Sequence, residues 1–309
     1  MEFLDPKALA KLETLQLKAR VVVEGAITGL HRARLHGSSI EFAQHKEYSP
    51  GDEIRHLDWK VYGRQDRYVV KQFEQESELT TYLVLDASAS MAYRGKHGVS
   101  KLEYASYLMA ALAHLLIRQR DKVGLLVFGD AELDRYVPPR ARPTHLHDLL
   151  AVIEEIHEGG ARGREPLGPA LDRLAELARR RRSLVVLASD LFDESGRGLE
   201  VLSHLRARRH DVAVFQTLDR DELELPFDGM TQFRALESDR KLLANPAAIR
   251  REYHHRLSRF LTHVRESCLA SGVNYHLAPT DQPVEQALVE LLTGRADGAP
   301  SEAPRSWNS

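Results

Sequence analysis

The sequence has a single cysteine, Cys268, in 309 residues. One thiol excludes an internal disulfide and points to a reducing compartment, so a cytoplasmic location is expected. An excess of one charge is also lacking: 43 Lys and Arg stand against 45 Asp and Glu, a formal net charge of -2. That balance argues against a general nucleic-acid binder, which carries a basic excess. No run of ~18 apolar residues occurs, so no membrane span is expected. The longest candidate, Leu108 to Ile117, is broken by His114 and followed by Arg118, Arg120 and Asp121, as in a buried helix. The opening residues 1–20 carry charges throughout and no apolar run long enough for a signal peptide. There is no GxxxxGK[ST] loop, so the chain itself is not expected to hydrolyse ATP. The GxSxG elbow of a serine hydrolase is missing, and none of the 15 histidines stands in HExxH spacing.

What is present is ordinary globular composition, 43% hydrophobic and 28% charged, with a change of texture near residue 78. Before it, Leu9, Leu12, Leu15 and Ala19 predict a helix over 7–19. An irregular, charge-rich stretch follows, with a turn at Ser49-Pro50-Gly51-Asp52 and an alternating strand from Tyr68 to Glu74. After it, strands and helices alternate. Strands are predicted at Thr80–Leu85, Lys122–Phe128, Leu184–Ala188, Val212–Leu218 and Val273–Leu277. A short edge strand at Leu133–Val137 is closed by Pro138-Pro139, and a β excursion covers Met230–Ala244. Helices are predicted at Lys101–Arg120, His145–Ile156, Leu167–Arg181, about 198–209, Pro246–Ala270 and Val284–Leu292. This alternation predicts an α/β fold, a doubly wound mostly parallel sheet with helices on both faces, preceded by an N-terminal helix/β segment. The expected division is an N-terminal segment at 1–77 packed on the core, a main domain at 78–294, and a polar Pro/Ala/Ser-rich disordered tail at 295–309.

In such sheets ligands bind beyond the carboxyl ends of the strands, where strand order reverses. Asp86, Ser88 and Ser90 stand there, just past the first central strand. One carboxylate and two hydroxyls on alternate residues are hard oxygen donors, suited to a single magnesium or manganese ion. Asp190, ending the strand LVVLASD, offers a second carboxylate on the same rim. The competing structural reading is that Asp86 caps the next helix and the serines close a turn.

The DASAS loop, the helix after it, the KVGLLVF strand and the LASD strand end resemble a von Willebrand factor A domain. The loop resembles that fold's metal-ion-dependent adhesion site. The preceding residues are more specific: Glu41-Phe42, Tyr48-Ser49-Pro50-Gly51-Asp52, Arg55, Asp58-Trp59, Gly63-Arg64, Val70-Lys71 and Glu74. With DASASM they resemble the bacterial domain-of-unknown-function family fifty-eight, over about residues 37–130. The resemblance implies a non-enzymatic adaptor or co-chaperone that works with a MoxR-type AAA+ ATPase and grips an acidic partner side chain through its metal face. Many relatives carry N-terminal membrane helices; this sequence is placed with the soluble ones.

One residue departs from the pattern. Glu165 stands where the A-domain threonine is expected, in Gly160-Ala161-Arg162-Gly163-Arg164-Glu165-Pro166-Leu167. Three carboxylates, Asp86, Glu165 and Asp190, around a dication predict firm holding of the metal and a weaker pull on a partner. Two further readings stay open: a phosphatase-like hydrolase using Asp86, which lacks the second acid because Ser88 stands two residues on, and a scaffold with a vestigial site. Asp52, Arg55 and Asp58, beside Trp59 and Arg64, are expected to form a structural clasp or a partner surface. The basic clusters Arg179–Arg182 and Arg206–His210 end helices, where positive charge is favoured; a phosphate or acidic-partner surface is the second reading.

Overall fold

The computed structural model describes residues 14–34, 46–47, 69–70, 80–96, 98–129, 135–193, 195–238 and 240–293. Helix α1 spans Leu15–Arg34, and β1 (Lys46–Glu47) and β2 (Val69–Val70) follow. The alternating part then runs β3 (Thr80–Asp86), α2 (Lys101–Arg118), β4 (Lys122–Phe128), β5 (Arg135–Arg140), α3 (His145–Gly159) and α4 (Leu167–Ala178). It continues with β6 (Leu184–Ser189), α5 (Arg197–Ala207), β7 (Asp211–Leu218) and the short α6 (Arg220–Glu224). The hairpin β8 (Thr231–Arg234) and β9 (Lys241–Ala244), α7 (Pro246–Ala270), β10 (Asn274–Pro279) and α8 (Val284–Thr293) complete it.

Two compact units emerge. One joins Met1–Leu30 to Leu79–Ser309; the other is His31–Glu78. The N-terminal segment expected at 1–77 is divided between the two units, and α1 packs into the core of the first. Its Leu15, Ala19, Val22, Val23 and Ala26 form one helical stripe and are buried. The helix predicted over 7–19 is described from Leu15 and runs on to Arg34. A β-branched run and Gly25 mark 21–25 as a poor helix by propensity, but burial of this stripe outweighs propensity. Gly25 is required by packing: a Cβ there would lie 2.9 Å from Glu285 Cγ on α8.

Within His31–Glu78, β1 and β2 pair antiparallel, Lys46 opposite Val70 and Glu47 opposite Val69. The predicted clasp of Asp52, Arg55, Asp58, Trp59 and Arg64 lies outside the described residues, as does the tail 295–309.

The six-stranded sheet has the order β10-β7-β6-β3-β4-β5, parallel except for the antiparallel β5 edge. Its central strands are continuous apolar runs because both faces are covered. Leu83, Leu85, Val123, Leu125, Val127, Val186 and Phe215 pack with α1, α2, α3 and α8 on one face. Tyr82, Val84, Leu126, Phe128, Val185, Leu187 and Val214 pack with α4, α5 and α7 on the other. The doubly wound expectation is met. One detail differs: Pro138 and Pro139 lie inside β5 rather than closing it. A proline removes a ladder donor, which is tolerated on an edge strand at an irregularity, and the β4–β5 register shifts between Val123 and Leu125. Among the described residues, no helix is long and apolar enough to cross a membrane.

Candidate functional site

From β3 the chain leaves through α2 onto one face of the sheet. From β6, its neighbour, it leaves through α5 onto the other. This divergence opens the crevice in which doubly wound sheets bind ligands. Asp86 is the last residue of β3, and Ser189 and Asp190 lie at the end of β6.

Asp86 is buried, 4% exposed. Its Oδ1 accepts the Ser88 amide at 2.9 Å, and its Oδ2 accepts the Ser189 hydroxyl at 2.6 Å. The hydroxyl oxygens of Ser88 and Ser90 lie 3.2 Å apart. Burial, then the charge of Asp190, push the Asp86 carboxyl up to about 7, against the opposing hydrogen bonds from Ser189 and Ser88. Backbone bonds hold the loop in place. The Ala87 amide donates to Phe128 O at 2.7 Å and the Ala89 amide to Gly163 O at 3.1 Å, while Ala87 O accepts the Arg162 amide at 2.8 Å. Gly129 permits this approach, since a Cβ there would sit 2.6 Å from the Ala87 carbonyl carbon.

The 160–166 loop thus lies against the DASAS loop, but the carboxylate of Glu165 is engaged elsewhere. It pairs with Arg173 of α4 at 3.1 Å and accepts the Gly129 amide at 3.4 Å. Asp190 is also paired. Its Oδ2 lies 2.8 Å from the ammonium of Lys101, and its Oδ1 accepts the Phe192 amide at 3.1 Å. Lys101 in turn meets Glu222 of α6 at 2.8 Å. Its side chain is 0% exposed. Burial alone would pull the lysine down, but the charges of Asp190 and Glu222 overcome it and raise its affinity for the proton. Burial pushes the Glu222 carboxyl up, against the attraction of Lys101.

These pairings revise the expected charge count. Arg173 pairs with Glu165, while the single charge of Lys101 is shared between Asp190 and Glu222, so the carboxylates near the loop are partly compensated. Lys101, Glu222 and Ser189 are the residues that sequence reasoning missed. Lys101 carried a legible signal: it follows the N-cap Ser100, where the helix dipole disfavours a cation, so its position needs carboxylates from elsewhere. Immediately after Asp190, Leu191 adopts φ 59°, a left-handed conformation that costs a non-glycine residue roughly 1–2 kcal/mol. Such strain concentrates at functional sites.

Among the described residues, no group of three or more His, Cys, Asp or Glu side chains is placed to share a metal ion. A cation at Asp86 would rest on one carboxylate, the two serine hydroxyls and water. That is a hard-oxygen set which fits magnesium or manganese, and a dication would favour the ionised form of Asp86 that burial and Asp190 disfavour.

The fold and this loop define a doubly wound α/β protein with an oxygen-lined site at its topological switch point. The chain belongs to the family described as "Protein of unknown function DUF58", whose profile matches residues 44–260. It is 29% identical over 299 residues to "Uncharacterized protein Rv1480" of Mycobacterium tuberculosis, covering 96% of this chain and 92% of that one. It is 23% identical over 172 residues to "Uncharacterized protein YeaD" of Bacillus subtilis, covering 55% of this chain and 39% of that one. Among solved structures, the conserved hypothetical protein BatB from Bacteroides thetaiotaomicron is similar over 70% of this chain and 98% of its own. Its TM-score is 0.46 and its identity 16%.

Proposed function

We propose that this chain is a non-enzymatic protein-binding module that depends on one divalent cation, magnesium or manganese, held by Asp86, Ser88 and Ser90. The carrying observation is the buried Asp86 carboxylate at the switch point, beside two hydroxyls 3.2 Å apart. Lys101, shared by Asp190 and Glu222, and Arg173, paired with Glu165, offset part of the nearby negative charge, and a dication held mainly by Asp86 would keep residual positive charge for a partner's carboxylate. Phe192, 45% exposed and stacked on Phe260 at 5.2 Å, follows Asp190 and presents an aromatic anchor of the kind that dominates protein interfaces. The partner class in this reading is a MoxR-type AAA+ ATPase, as the family resemblance implies.

A phosphatase reading gains less support, because Ser88 stands where the second acid is needed. The proposal is tested by titrating magnesium and manganese calorimetrically into the wild type and Ser88→Ala/Ser90→Ala. Heat in the wild type that is lost in the variant supports it. Retention of an AAA+ partner that is abolished by chelator supports the coupling of metal to binding. Absence of any metal binding by the wild type would refute it, and turnover of a generic phosphate ester would move the assignment to the hydrolase.

A further inference from the structure

At the opposite end of the sheet from Asp86, two basic clusters separated in sequence converge. Arg179 to Arg182 follow α4 and lead into β6; Arg206 to His210 end α5 and lead into β7. Together they line an open groove of about 490 Å³, formed by Arg179, Arg180, Arg181, Arg182, Arg208, His210 and Glu176. Five arginines face one glutamate there, on a chain whose formal net charge is -2.

Helix ends account for part of this charge, because the dipole favours cations in the last turn. Internal pairing accounts for more: Arg182 lies 2.9 Å and Arg206 2.7 Å from Asp211, and Arg179 lies 3.6 Å from Glu176. Arg180, Arg181 and Arg208 have no such carboxylate among the described residues, and all three are exposed. Nor is the backbone here relaxed. Arg209 adopts φ 69°, completing the α5 C-terminus through the His210 amide, which donates to Leu205 O at 3.1 Å. That position is normally given to glycine. His210, 2% exposed, lines the groove with its Nδ1 lacking a hydrogen-bond partner.

We infer that this groove receives an acidic segment of a protein partner, with the exposed Arg180, Arg181 and Arg208 pairing its carboxylates. Guanidinium forks match carboxylates bidentately, and they are spread along exposed positions rather than focused on one point, which fits an extended acidic stretch. The lining includes no aromatic ring apart from the buried His210 and no aliphatic residue, so it offers little for a nucleobase to stack on. The surface is separate from the metal-dependent site, which lies at the other rim of the sheet.

Fluorescence anisotropy of a labelled oligoglutamate peptide tests this at low ionic strength, with the full chain. The wild type is expected to bind with strong salt dependence, and Arg180→Glu/Arg181→Glu/Arg208→Glu to weaken binding at least about tenfold. The substituted side chains are exposed, and an unchanged circular dichroism melt confirms that the variant folds. A control, Arg251→Glu/Arg259→Glu on the exposed face of α7, is expected to leave affinity unchanged, and so is chelator. Equal loss in both variants, no binding by the wild type, or tighter binding of a single-stranded oligonucleotide of equal charge would each overturn the inference. Because chelator separates the two surfaces, failure here leaves the metal-dependent proposal standing, and the reverse also holds.

Discussion

At the residue scale the site is governed by charges that have left water. Lys101 is enclosed between Asp190 and Glu222, and removing one member of a buried pair strands the other. Lys101→Met is expected to destabilise the fold by roughly 3–5 kcal/mol, read from urea denaturation, with a smaller loss in acid where the carboxyls are protonated. Asp86 carries the opposite liability. Its folded-state carboxyl lies at about 7, well above the ordinary carboxylate value. Its contribution to stability is therefore full below the unfolded-state pKa and lost as pH rises toward and through 7. In chelator, the stability of the wild type relative to Asp86→Asn is expected to fall with pH by up to roughly 1.4 kcal/mol per unit over that window. Magnesium is expected to abolish the difference above neutral pH by favouring the ionised form. A flat difference between the two proteins in chelator would refute the burial argument. The serines and Asp86 were legible as a DxSxS pattern on a strand end. The partners of Asp190 and Glu165 were not, since Lys101 and Arg173 reach them through packing rather than through sequence spacing.

At the element scale, helix and strand identities follow from periodicity, and their boundaries from neighbours. Lys101–Arg118 begins with a full capping box, Ser100 accepting the Glu103 amide while Glu103 accepts the Ser100 amide, a signature that Ser-x-x-Glu announces in the sequence. Helix α1 is the contrasting case. Local propensity argues for a short helix, and burial of the stripe from Leu15 to Ala26 carries it past residue 19. At Gly25 an added Cβ would lie 2.9 Å from Glu285 Cγ on α8, so Gly25→Val is expected to overpack there and cost about 1–3 kcal/mol, measured by thermal or chemical unfolding. A neutral result would mean that α8 yields easily. The β5 edge teaches the same lesson: paired prolines read as a stop, yet an irregular edge register accommodates both.

At the scale of the whole molecule, parallel strands give the sheet two chemically different rims. The carboxyl rim gathers Asp86, Ser88, Ser90, Ser189 and Asp190, with Lys101 and Glu222 beneath them; the amino rim gathers the arginines that end α4 and α5. A module of this design is expected to hold two partners or two parts of one partner. Metal chelation should then release only the interaction at the carboxyl rim, and charge reversal at the arginines only the other, which a pull-down with each perturbation alone would resolve. The sequence by itself determined the class of fold, because apolar runs of strand length alternating with amphipathic helices have one stable arrangement as a covered parallel sheet. It also determined where the oxygen donors Asp86, Ser88 and Ser90 stand, since they alternate along one strand end and the loop that follows. Only the tertiary structure decided the charge state of that site and the existence of the arginine groove. Both depend on side chains brought together from distant segments, Lys101 with Asp190 and Arg180 with Arg208, and no local period or spacing encodes such meetings.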